Sequence, residues 1–299
     1  MNDTKGILLL NRRSGAPDTE KEELAVAAAK AGLEVVEIEE KLDLPAFIAS
    51  KRKAGTRLFV AAGGDGSLLA VAQAVVGTDA VLGVIPMGSL NHFARDLKIP
   101  LTWSDALQVA LSGKVRVVDV GKVNDRYFLN NVFLGVYAKI TEGREKYRSE
   151  MGKWRAYFES LRLALRHFPD VELELESAEG KERVRTQMFT VSVGLDDLST
   201  FGMLAPRVAL KAGTLHVYWL PFLTRRAFAL ASARYFLGLA PTFGDFRSLA
   251  TTRIHLHSPR RRIQVVTDGE LEWLQPPIQI AIVPSALRVK TPEPTTATS

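Results

Sequence analysis

With 299 residues, the chain is longer than a single hydrophobic core usually needs, so two domains are expected. It contains no cysteine, which excludes a disulfide framework, a cysteine–zinc site and a thiol nucleophile. The net charge of +6 fits a polyanionic partner, namely nucleic acid, nucleotide phosphates or an anionic lipid surface, and it fits a merely soluble basic surface equally well.

The N-terminal sequence predicts a cytoplasmic protein. Its apolar run "ILLL" has four residues before charged ones return, which is too short for a secretory signal. The chain has no stretch of about eighteen uncharged apolar residues, so no membrane-spanning helix is expected.

The first third of the chain alternates between apolar strands and helical segments. Strands are predicted at residues 6–11, 33–39, 56–62 and 80–86, and helices at 19–31, 45–54 and 67–76. This order predicts parallel βαβ units in a doubly wound α/β sheet, whose ligands bind at the carboxyl ends of the strands. The loops "NRRSG", "GGDGS" and "PMGSLN" each follow a predicted strand, so they should share that edge of the sheet.

After about Val120 the pattern changes to short strands separated by glycine, proline, asparagine and aspartate. Several of them alternate with period two, as Val171, Leu173 and Leu175 do with three glutamates. This predicts a second, all-β domain with an antiparallel sandwich or barrel-like sheet. Helices at 146–167 and 224–239 are expected to interrupt it, and the low-complexity tail 294–299 is expected to be disordered.

The loop Gly63-Gly64-Asp65-Gly66-Ser67 connects a predicted strand to a predicted helix. Glycines leave its backbone amides unobstructed and the helix end adds a partial positive charge, so the loop is suited to bind phosphate. A carboxylate is useful there if Asp65 carries Mg²⁺ or takes a proton from the acceptor. A tight turn that Asp65 or Ser67 caps explains the same residues equally well.

The second loop, "PMGSLN", opens another predicted helix with Gly88, Ser89 and Asn91. The hydroxyl of Ser89 and the amide of Asn91 can donate hydrogen bonds to phosphate or ribose oxygens. Arg95 follows one turn later and is more typical of a surface or interdomain ion pair. The two polar side chains favour a phosphate site over a plain turn.

A third candidate is Asp268-Gly269-Glu270, at the end of a predicted strand in the second domain. Its acidic pair could face the first domain across a cleft. Asp-Gly is also a strong hairpin-turn signal, so the triplet taken alone is more typical of a turn.

Together these stretches resemble the diacylglycerol kinase catalytic-domain family, which includes sphingosine kinases and bacterial lipid kinases. The resemblance rests on the order and spacing of "GGDGS", "PMGSLNHFARDL" and, about two hundred residues after the first, "DGE". "NRRSG" is similar to the family's N-terminal Asn-x-x-Ser-Gly loop, and the similarity extends from residue 6 to about residue 292. It implies an ATP-binding domain of residues 1–122 joined by 284–293, a lipid-binding sandwich of residues 123–283, and an active site in the cleft.

The resemblance implies an ATP-dependent lipid kinase that uses Mg²⁺. Contacts with the nucleotide are implied for residues of the three loops: Asn11, Gly15, Gly63, Gly64, Asp65, Gly66, Ser67, Ser89 and Asn91. Glu270, with Asp268, would take the proton of the lipid hydroxyl, and Asp65 would help to hold the magnesium ion. This combination suits phosphoryl transfer, which needs positioning, neutralised phosphates and a base beside the acceptor.

The sequence departs from the family pattern at three places. His92 stands where the family usually has aspartate, which removes one acidic group near the phosphates. Lys211-Ala212 replaces a segment that often carries a carboxylate for a structural divalent ion, and Val193-Gly194 replaces an Asn-Gly pair. Because the last two changes lie in the lipid-facing half, the identity of the acceptor is the least transferable property.

Two other functions fit parts of the sequence. An NAD kinase-like enzyme also uses a Gly-Gly-Asp-Gly loop in a two-domain fold, although "GSLNHFARDL" and "DGE" fit lipid kinases better. A catalytically inactive nucleotide-binding regulatory protein would account for His92 and Ala212. Nucleic acid has only the net charge in its favour and is not expected as a partner, whereas a homodimer could form.

Residues 139–166 carry eight basic and four acidic residues, interleaved with aromatic ones. A basic amphipathic helix of this kind suits an anionic membrane surface, where peripheral association would bring the protein to its lipid substrate. A helix that packs its apolar stripe on the sandwich explains the pattern as well.

Overall fold

The computed structural model of the protein describes residues 6–147, 152–194, 213–220, 224–237 and 247–293. The chain divides into two compact units, one formed by residues 1–120 and 284–299 and the other by residues 121–283. Two expectations from the sequence, the disordered tail 294–299 and the loss of a metal site at Lys211-Ala212, lie outside the described residues.

The first unit is built around a parallel sheet. Its strands include β1 (Gly6–Leu10), β2 (Leu33–Glu37), β3 (Leu58–Gly63) and β4 (Val81–Pro86), in the spatial order β2-β1-β3-β4. Each neighbouring pair is parallel, and β1, β3 and β4 are buried along nearly their whole length. Strands covered on both faces need continuous apolar sequence, which "GILLL" and "LFVAAG" provide.

Helices form two layers on this sheet. They are α1 (Asp18–Lys30), α2 (Leu44–Lys53), α3 (Asp65–Val75), α4 (His92–Asp96) and α5 (Trp103–Ser112). Helix α1 packs with α5, and α2 packs with α3, so the predicted doubly wound α/β arrangement is confirmed. Helix α5, which the sequence analysis does not predict, packs on β4 at Gly83, where an added Cβ would lie 2.9 Å from Ala110 Cβ.

The chain returns to the first unit near its end. Strand β16 (Ile278–Thr291) begins in the second unit, and its last part pairs in parallel with β4, with Arg288 beside Val81. Ser285 within this strand has a φ of 51°, and its N–H donates to Asp119 Oδ1 over 2.8 Å. Because Asp119 is buried on β5 (Lys114–Val123), this hydrogen bond fixes the point where the chain re-enters the unit.

The second unit is an antiparallel sandwich, as predicted. Its further strands are β6 (Arg126–Phe128), β7 (Asn131–Gly135), β8 (Val171–Ser177), β9 (Gly180–Thr186), β10 (Met188–Val193), β11 (Leu215–Trp219), β12 (Arg247–Thr251), β13 (Arg253–His257), β14 (Ile263–Thr267) and β15 (Glu270–Leu274). One sheet has the order β12-β11-β10-β7-β14-β15, and the other contains β16-β13-β8-β9 and the β5–β6 pair. Alternate residues of both sheets, such as Leu173 and Val191, enter one shared core.

Three helices of the second unit pack together, namely α6 (Val136–Tyr147), α7 (Lys153–Arg166) and α8 (Arg225–Phe236). The sequence predicts one helix over 146–167, whereas α6 ends at Tyr147 and α7 begins at Lys153. The two pack face to face: an added Cβ on Gly143 of α6 would lie 2.7 Å from Ser160 Cα of α7. Glycine and serine at this contact permit the close approach of the two helices. Helical periodicity in the sequence does not predict such a contact between separate helices.

Candidate active site

The first and second glycine loops of the first unit are fastened to each other. The loop after β1 begins with Asn11, whose N–H donates to Ala62 O over 2.9 Å. The side-chain amide of Asn11 then donates to Ser67 Oγ over 2.7 Å. Gly63 lies between them, where an added Cβ would be 2.7 Å from Ser67 Oγ and 3.3 Å from Asn11 Cβ. Glycine is therefore required at 63 by protein packing alone.

The loop after β4 lies against the "GGDGS" loop through its backbone. Met87 N–H donates to Gly63 O over 2.8 Å. An added Cβ on Gly88 would lie 2.6 Å from Gly64 Cα, closer than real Cβ atoms approach, so the two backbones meet without room for a side chain. At Gly64 the opposite holds, since an added Cβ would first meet Gly88 Cα at 3.5 Å, an ordinary contact.

Asn91 shapes this loop from within. Its Oδ1 accepts from Gly88 N–H over 3.0 Å and its Nδ2 donates to Gly88 O over 2.8 Å. The residue is buried and adopts a left-handed backbone with φ of 51°, which asparagine tolerates better than most residues. The structure thus gives Asn91 a role in closing the loop, and its predicted contact with the nucleotide stays a prediction.

The loop after β1 also approaches the loop after β4. An added Cβ on Gly15 would come within 3.9 Å of Ser89 Oγ. Ser89 is exposed, and so is Gly66 in the first turn of α3. The three loops that the sequence places at one edge of the sheet do meet there, with glycine backbone and two serine hydroxyls among them.

Two polar atoms at this edge are buried and have no hydrogen-bond partner among the described residues: Asp65 Oδ1 and Ser14 Oγ. A buried polar atom that lacks a partner costs about 1–3 kcal/mol, so such atoms commonly mark a place for water, an ion or a ligand. Ser14 was not singled out from the sequence, although it is the serine of the "NRRSG" loop.

Asp65 begins helix α3, whose N-cap is Gly64. The N-terminus of a helix carries a partial positive charge and favours an anion. A bound phosphate and the Asp65 carboxylate would both be anions at this helix end, so they would repel each other unless a cation lay between them. Its unpartnered Oδ1 is the type of oxygen that Mg²⁺ prefers. No cluster of three or more histidine, cysteine or acidic residues suited to hold a metal occurs in the described ranges.

The cations of the first loop are engaged with carboxylates. Arg12 Nε lies 2.7 Å from Glu37 Oε1, and Arg13 forms an ion pair with Glu40. The hydrogen bond and charge of Arg13 lower the pKa of the Glu40 carboxyl. Lys21, which is buried, donates to Arg12 O over 2.6 Å and fixes the loop to helix α1. These side chains stabilise the shape of the loop.

His92 and Arg95 belong to the short helix α4. Arg95 Nε donates to Leu90 O over 2.9 Å, so this side chain supports its own loop. His92 is the first residue of α4 and is partly exposed, where the family pattern has an acidic residue.

In the second unit, Asp268 holds a neighbouring loop. Its Oδ2 accepts from Leu129 N–H over 2.6 Å, and its Oδ1 accepts from Asn130 N–H over 2.8 Å and Asn131 N–H over 3.1 Å. Its own N–H donates to Asn131 O over 3.0 Å, and its φ of 49° makes the tight turn between β14 and β15. A carboxylate that accepts three amide hydrogen bonds is a structural anchor. The sequence indicates the turn at Asp268, whereas the amides that its carboxylate binds follow from the fold.

Glu270 is the first residue of β15 and is exposed. One oxygen, Oε2, lies 3.1 Å from Arg126 Nη2 on β6. Arg126 also reaches Glu272 Oε2 at 3.4 Å, and Thr267 Oγ1 donates to Glu272 Oε1 over 2.9 Å. The predicted base therefore belongs to a small network of charged and polar side chains within the sandwich.

Helices α7 and α8 present mixed basic and apolar faces. On α7 the exposed residues Arg155, Phe158, Arg162 and Arg166 follow helical spacing along one side, and Ala156, Ser160 and Ala164 are buried on another. On α8, Arg226 and Leu230 are exposed one turn apart. None of the helices in the described ranges has the length and apolar character needed to span a bilayer.

The part of the chain that contains the three glycine loops is similar to known proteins. Residues 5–123 match the diacylglycerol kinase catalytic domain family. The chain is 31% identical over 155 residues to "Probable lipid kinase YegS-like" of Enterobacter sp. (strain 638), which covers 50% of this chain and 52% of that protein. It is 30% identical over 159 residues to a diacylglycerol kinase of Staphylococcus epidermidis, which covers 52% of this chain and 50% of that protein. The chain thus spans about half the length of the curated relatives it matches.

Similarity to solved structures extends over nearly the whole chain. A crystal structure of a diacylglycerol kinase candidate from Bacillus anthracis str. Sterne superimposes with a TM-score of 0.76 and 21% sequence identity, covering 98% of this chain and 99% of that one. At this level of identity the similarity concerns the fold. It confirms a mixed α/β architecture with an antiparallel second sheet domain.

Proposed function

We propose that the chain is an ATP-dependent lipid kinase, because residues 5–123 match the diacylglycerol kinase catalytic domain family. It would transfer the γ-phosphoryl group of ATP to a lipid hydroxyl, that of diacylglycerol or of a related lipid. One observation supports this most directly. Three glycine loops meet at the carboxyl edge of a parallel sheet, and the carboxylate Oδ1 of Asp65 is left without a partner among the described residues.

The loop edge is suited to the phosphates of ATP. Gly64 leaves its backbone open on one side, and the amides that follow at the start of α3 offer donors and a positive helix end. The hydroxyls of Ser14 and Ser89 are further donors at this edge. Asn11, Gly63 and Gly88 would act by holding the loops in contact, because their own packing is already complete.

A bound Mg²⁺ would neutralise charge on the phosphates, which phosphoryl transfer requires. Asp65 is the residue proposed to hold it, since its Oδ1 is buried, anionic and unpartnered among the described residues. Glu270 is proposed to take the proton of the lipid hydroxyl, because it is an exposed carboxylate of the second unit, the unit that the family resemblance implies for the lipid. Asp268 would contribute by shaping the turn that carries Glu270.

We further propose that the protein works at the cytoplasmic membrane surface by peripheral association. Arginines and large apolar side chains share the exposed faces of α7 and α8, a composition that suits anionic headgroups with an apolar layer beneath. Phe158 and Leu230 are 58% and 64% exposed, so both side chains are accessible to such an apolar layer.

A phosphoryl-transfer assay with radiolabelled ATP and Mg²⁺ tests the proposal. Diacylglycerol, monoacylglycerol, a sphingoid base and phosphatidylglycerol serve as acceptors in mixed micelles, and NAD is the acceptor in a parallel reaction. Label that enters the organic phase with at least one lipid supports a lipid kinase. Label that reaches NAD alone supports an NAD kinase-like enzyme. ATP binding without transfer to any acceptor supports an inactive nucleotide-binding protein.

A further inference from the structure

A charged network surrounds Glu270 at the rim of the sandwich. Glu270 and Glu272 lie two residues apart on β15, so their side chains point to the same face of the sheet. Leu274, the next residue on that face, packs against the sandwich core. The two carboxylates therefore lie on the core side of their sheet, at the end where β15 begins.

Arg126 approaches these carboxylates from the other sheet. It lies on β6, two residues before Phe128, which is fully buried in the same core. Phe128 is fixed by close packing, since an added Cβ on Gly121 would lie 2.0 Å from its ring. The strand that Phe128 anchors in this way directs Arg126 toward β15. There the two terminal nitrogens of Arg126 contact two different carboxylates, those of Glu270 and Glu272.

The two carboxylates are held unequally. The Glu272 side chain is 19% exposed, receives a hydrogen bond from Thr267 Oγ1 and faces one Arg126 nitrogen at 3.4 Å. The Glu270 side chain is 52% exposed and has the other nitrogen at 3.1 Å. Glu272 thus serves as a fixed anchor for the guanidinium, and the planar guanidinium carries that fixed position over to Glu270.

We infer that Arg126 is a positioning residue for Glu270 in the proposed phosphoryl transfer, with Glu272 as its anchor. This inference rests on the proposed function. Exposed ion pairs contribute only about 0–1 kcal/mol to folding, so stability does not explain a guanidinium shared between two carboxylates. Holding the exposed Glu270 side chain in one rotamer would benefit catalysis and not stability, because a base acts only when it lies within hydrogen-bond reach of its proton.

Kinetics of variants in a double-mutant cycle test the inference. Arg126→Met removes the guanidinium and keeps an unbranched side chain in place of the aliphatic stem, and we expect kcat to fall about tenfold or more with the ATP KM unchanged. Arg126→Lys should recover part of the loss, since a point charge engages one carboxylate at a time. In a Glu270→Gln background, Arg126→Met should have little further effect on kcat, because Arg126 acts through Glu270.

Arg185→Met is the matched control. Arg185 is also an exposed arginine of the second unit beside two carboxylates, Asp170 and Glu172. We expect its loss to leave kcat unchanged. Two outcomes would overturn this inference and leave the proposed function standing. One is an active wild type whose kcat does not change in Arg126→Met. The other is an equal loss of kcat on Arg126→Met in the wild-type and Glu270→Gln backgrounds. A wild type that transfers phosphate to no acceptor overturns the proposed function and this inference with it.

Discussion

The side-chain amide of Asn11 donates to the hydroxyl of Ser67 over 2.7 Å and ties the loop after β1 to the first turn of α3. The two residues are 56 positions apart in sequence and belong to two neighbouring strand–loop units of the parallel sheet. The hydrogen bond holds the backbone of both loops in contact, which gives Asn11 a structural reason for its place in the predicted nucleotide site.

Removing this hydrogen bond should weaken both stability and nucleotide binding. We expect Asn11→Ala and Ser67→Ala each to lower the free energy of unfolding by about 1 kcal/mol, because each leaves one partly buried group without its partner. The double variant should lose less than the sum of the two. Urea unfolding of the four proteins and ATP titration by calorimetry measure both effects. Strict additivity would show that the two side chains act independently.

Gly64 and Gly88 should respond differently to the same small substitution. Gly64→Ala should fold with an unchanged melting temperature and lose ATP affinity, since its Cβ meets protein only at an ordinary 3.5 Å and would project where a phosphate needs the backbone. Gly88→Ala should lower the melting temperature, because its Cβ would lie 2.6 Å from Gly64 Cα. Differential scanning fluorimetry and ATP titration distinguish them. Normal ATP affinity in Gly64→Ala would mean that the loop is a plain turn.

The contrast between these glycines shows what the sequence could and could not predict. Periodicity and strand order predict the parallel sheet and place three loops at one edge, since both depend on local pattern. The sequence shows that glycines occur in these loops. It does not distinguish a glycine whose Cα packs against protein from one whose Cα has free space beside it. That distinction depends on contacts between segments far apart in sequence, such as Gly64 with Gly88.

Asp268 and Asn91 illustrate the same limit for polar residues. Both belong to stretches that predict chemistry, and both have their side chains engaged with backbone groups of loops. For Asp268 the partners lie on a segment about 140 residues earlier, brought near by the pairing of β7 with β14. The sequence places a carboxylate at this turn, and only the strand pairing shows which amides it meets.

Asp268 should therefore affect stability more than Glu270 does. We expect Asp268→Ala to lower the free energy of unfolding by about 2–4 kcal/mol, because three amide donors lose a charged acceptor. Asp268→Asn should also destabilise, since its NH2 group would take the place of one of the two accepting oxygens. The change in urea midpoint measures both, with Glu270→Gln as the unaffected control. Equal midpoints for Asp268→Ala and wild type would contradict the anchoring role.

Binding to membranes should depend on the exposed side of α7, which carries Arg155 and Phe158. We expect Phe158→Ala with Arg155→Glu to weaken binding to vesicles that contain phosphatidylglycerol by about tenfold or more, since each cation near an anionic surface contributes about 1 kcal/mol. Binding should also weaken as salt rises, because exposed charges are screened within about 8 Å at physiological ionic strength. Vesicle co-sedimentation measures both.

The matched control for the membrane test lies in the first unit. Val115 and Arg116 are also exposed, so Val115→Ala with Arg116→Glu makes the same kind of change at another place. This control should bind as the wild type does. Equal binding of wild type to neutral and anionic vesicles, or equal losses in the two double variants, would rule out α7 as the membrane surface.

Glu270→Gln should remove most lipid phosphorylation and spare ATP affinity. Glutamine keeps the size of the side chain and one acceptor oxygen, but it cannot take a proton, so the loss should fall on kcat by at least about a hundredfold if Glu270 is a general base. ATP affinity should persist because the glycine loops belong to the first unit and Glu270 to the second. Single-turnover phosphorylation and ATP titration measure the two effects separately.

Asp65→Asn is the complementary variant, because it changes the carboxylate proposed to hold Mg²⁺. It should weaken the Mg²⁺ dependence of ATP binding, an effect that Glu270→Gln should not share. A Glu270→Gln variant with near-normal kcat, beside an Asp65→Asn variant that binds ATP and Mg²⁺ normally but transfers nothing, would move the base to Asp65. The separation of roles between a nucleotide unit and a unit that serves the acceptor would then be wrong, since one carboxylate at the start of α3 would serve the proton transfer itself.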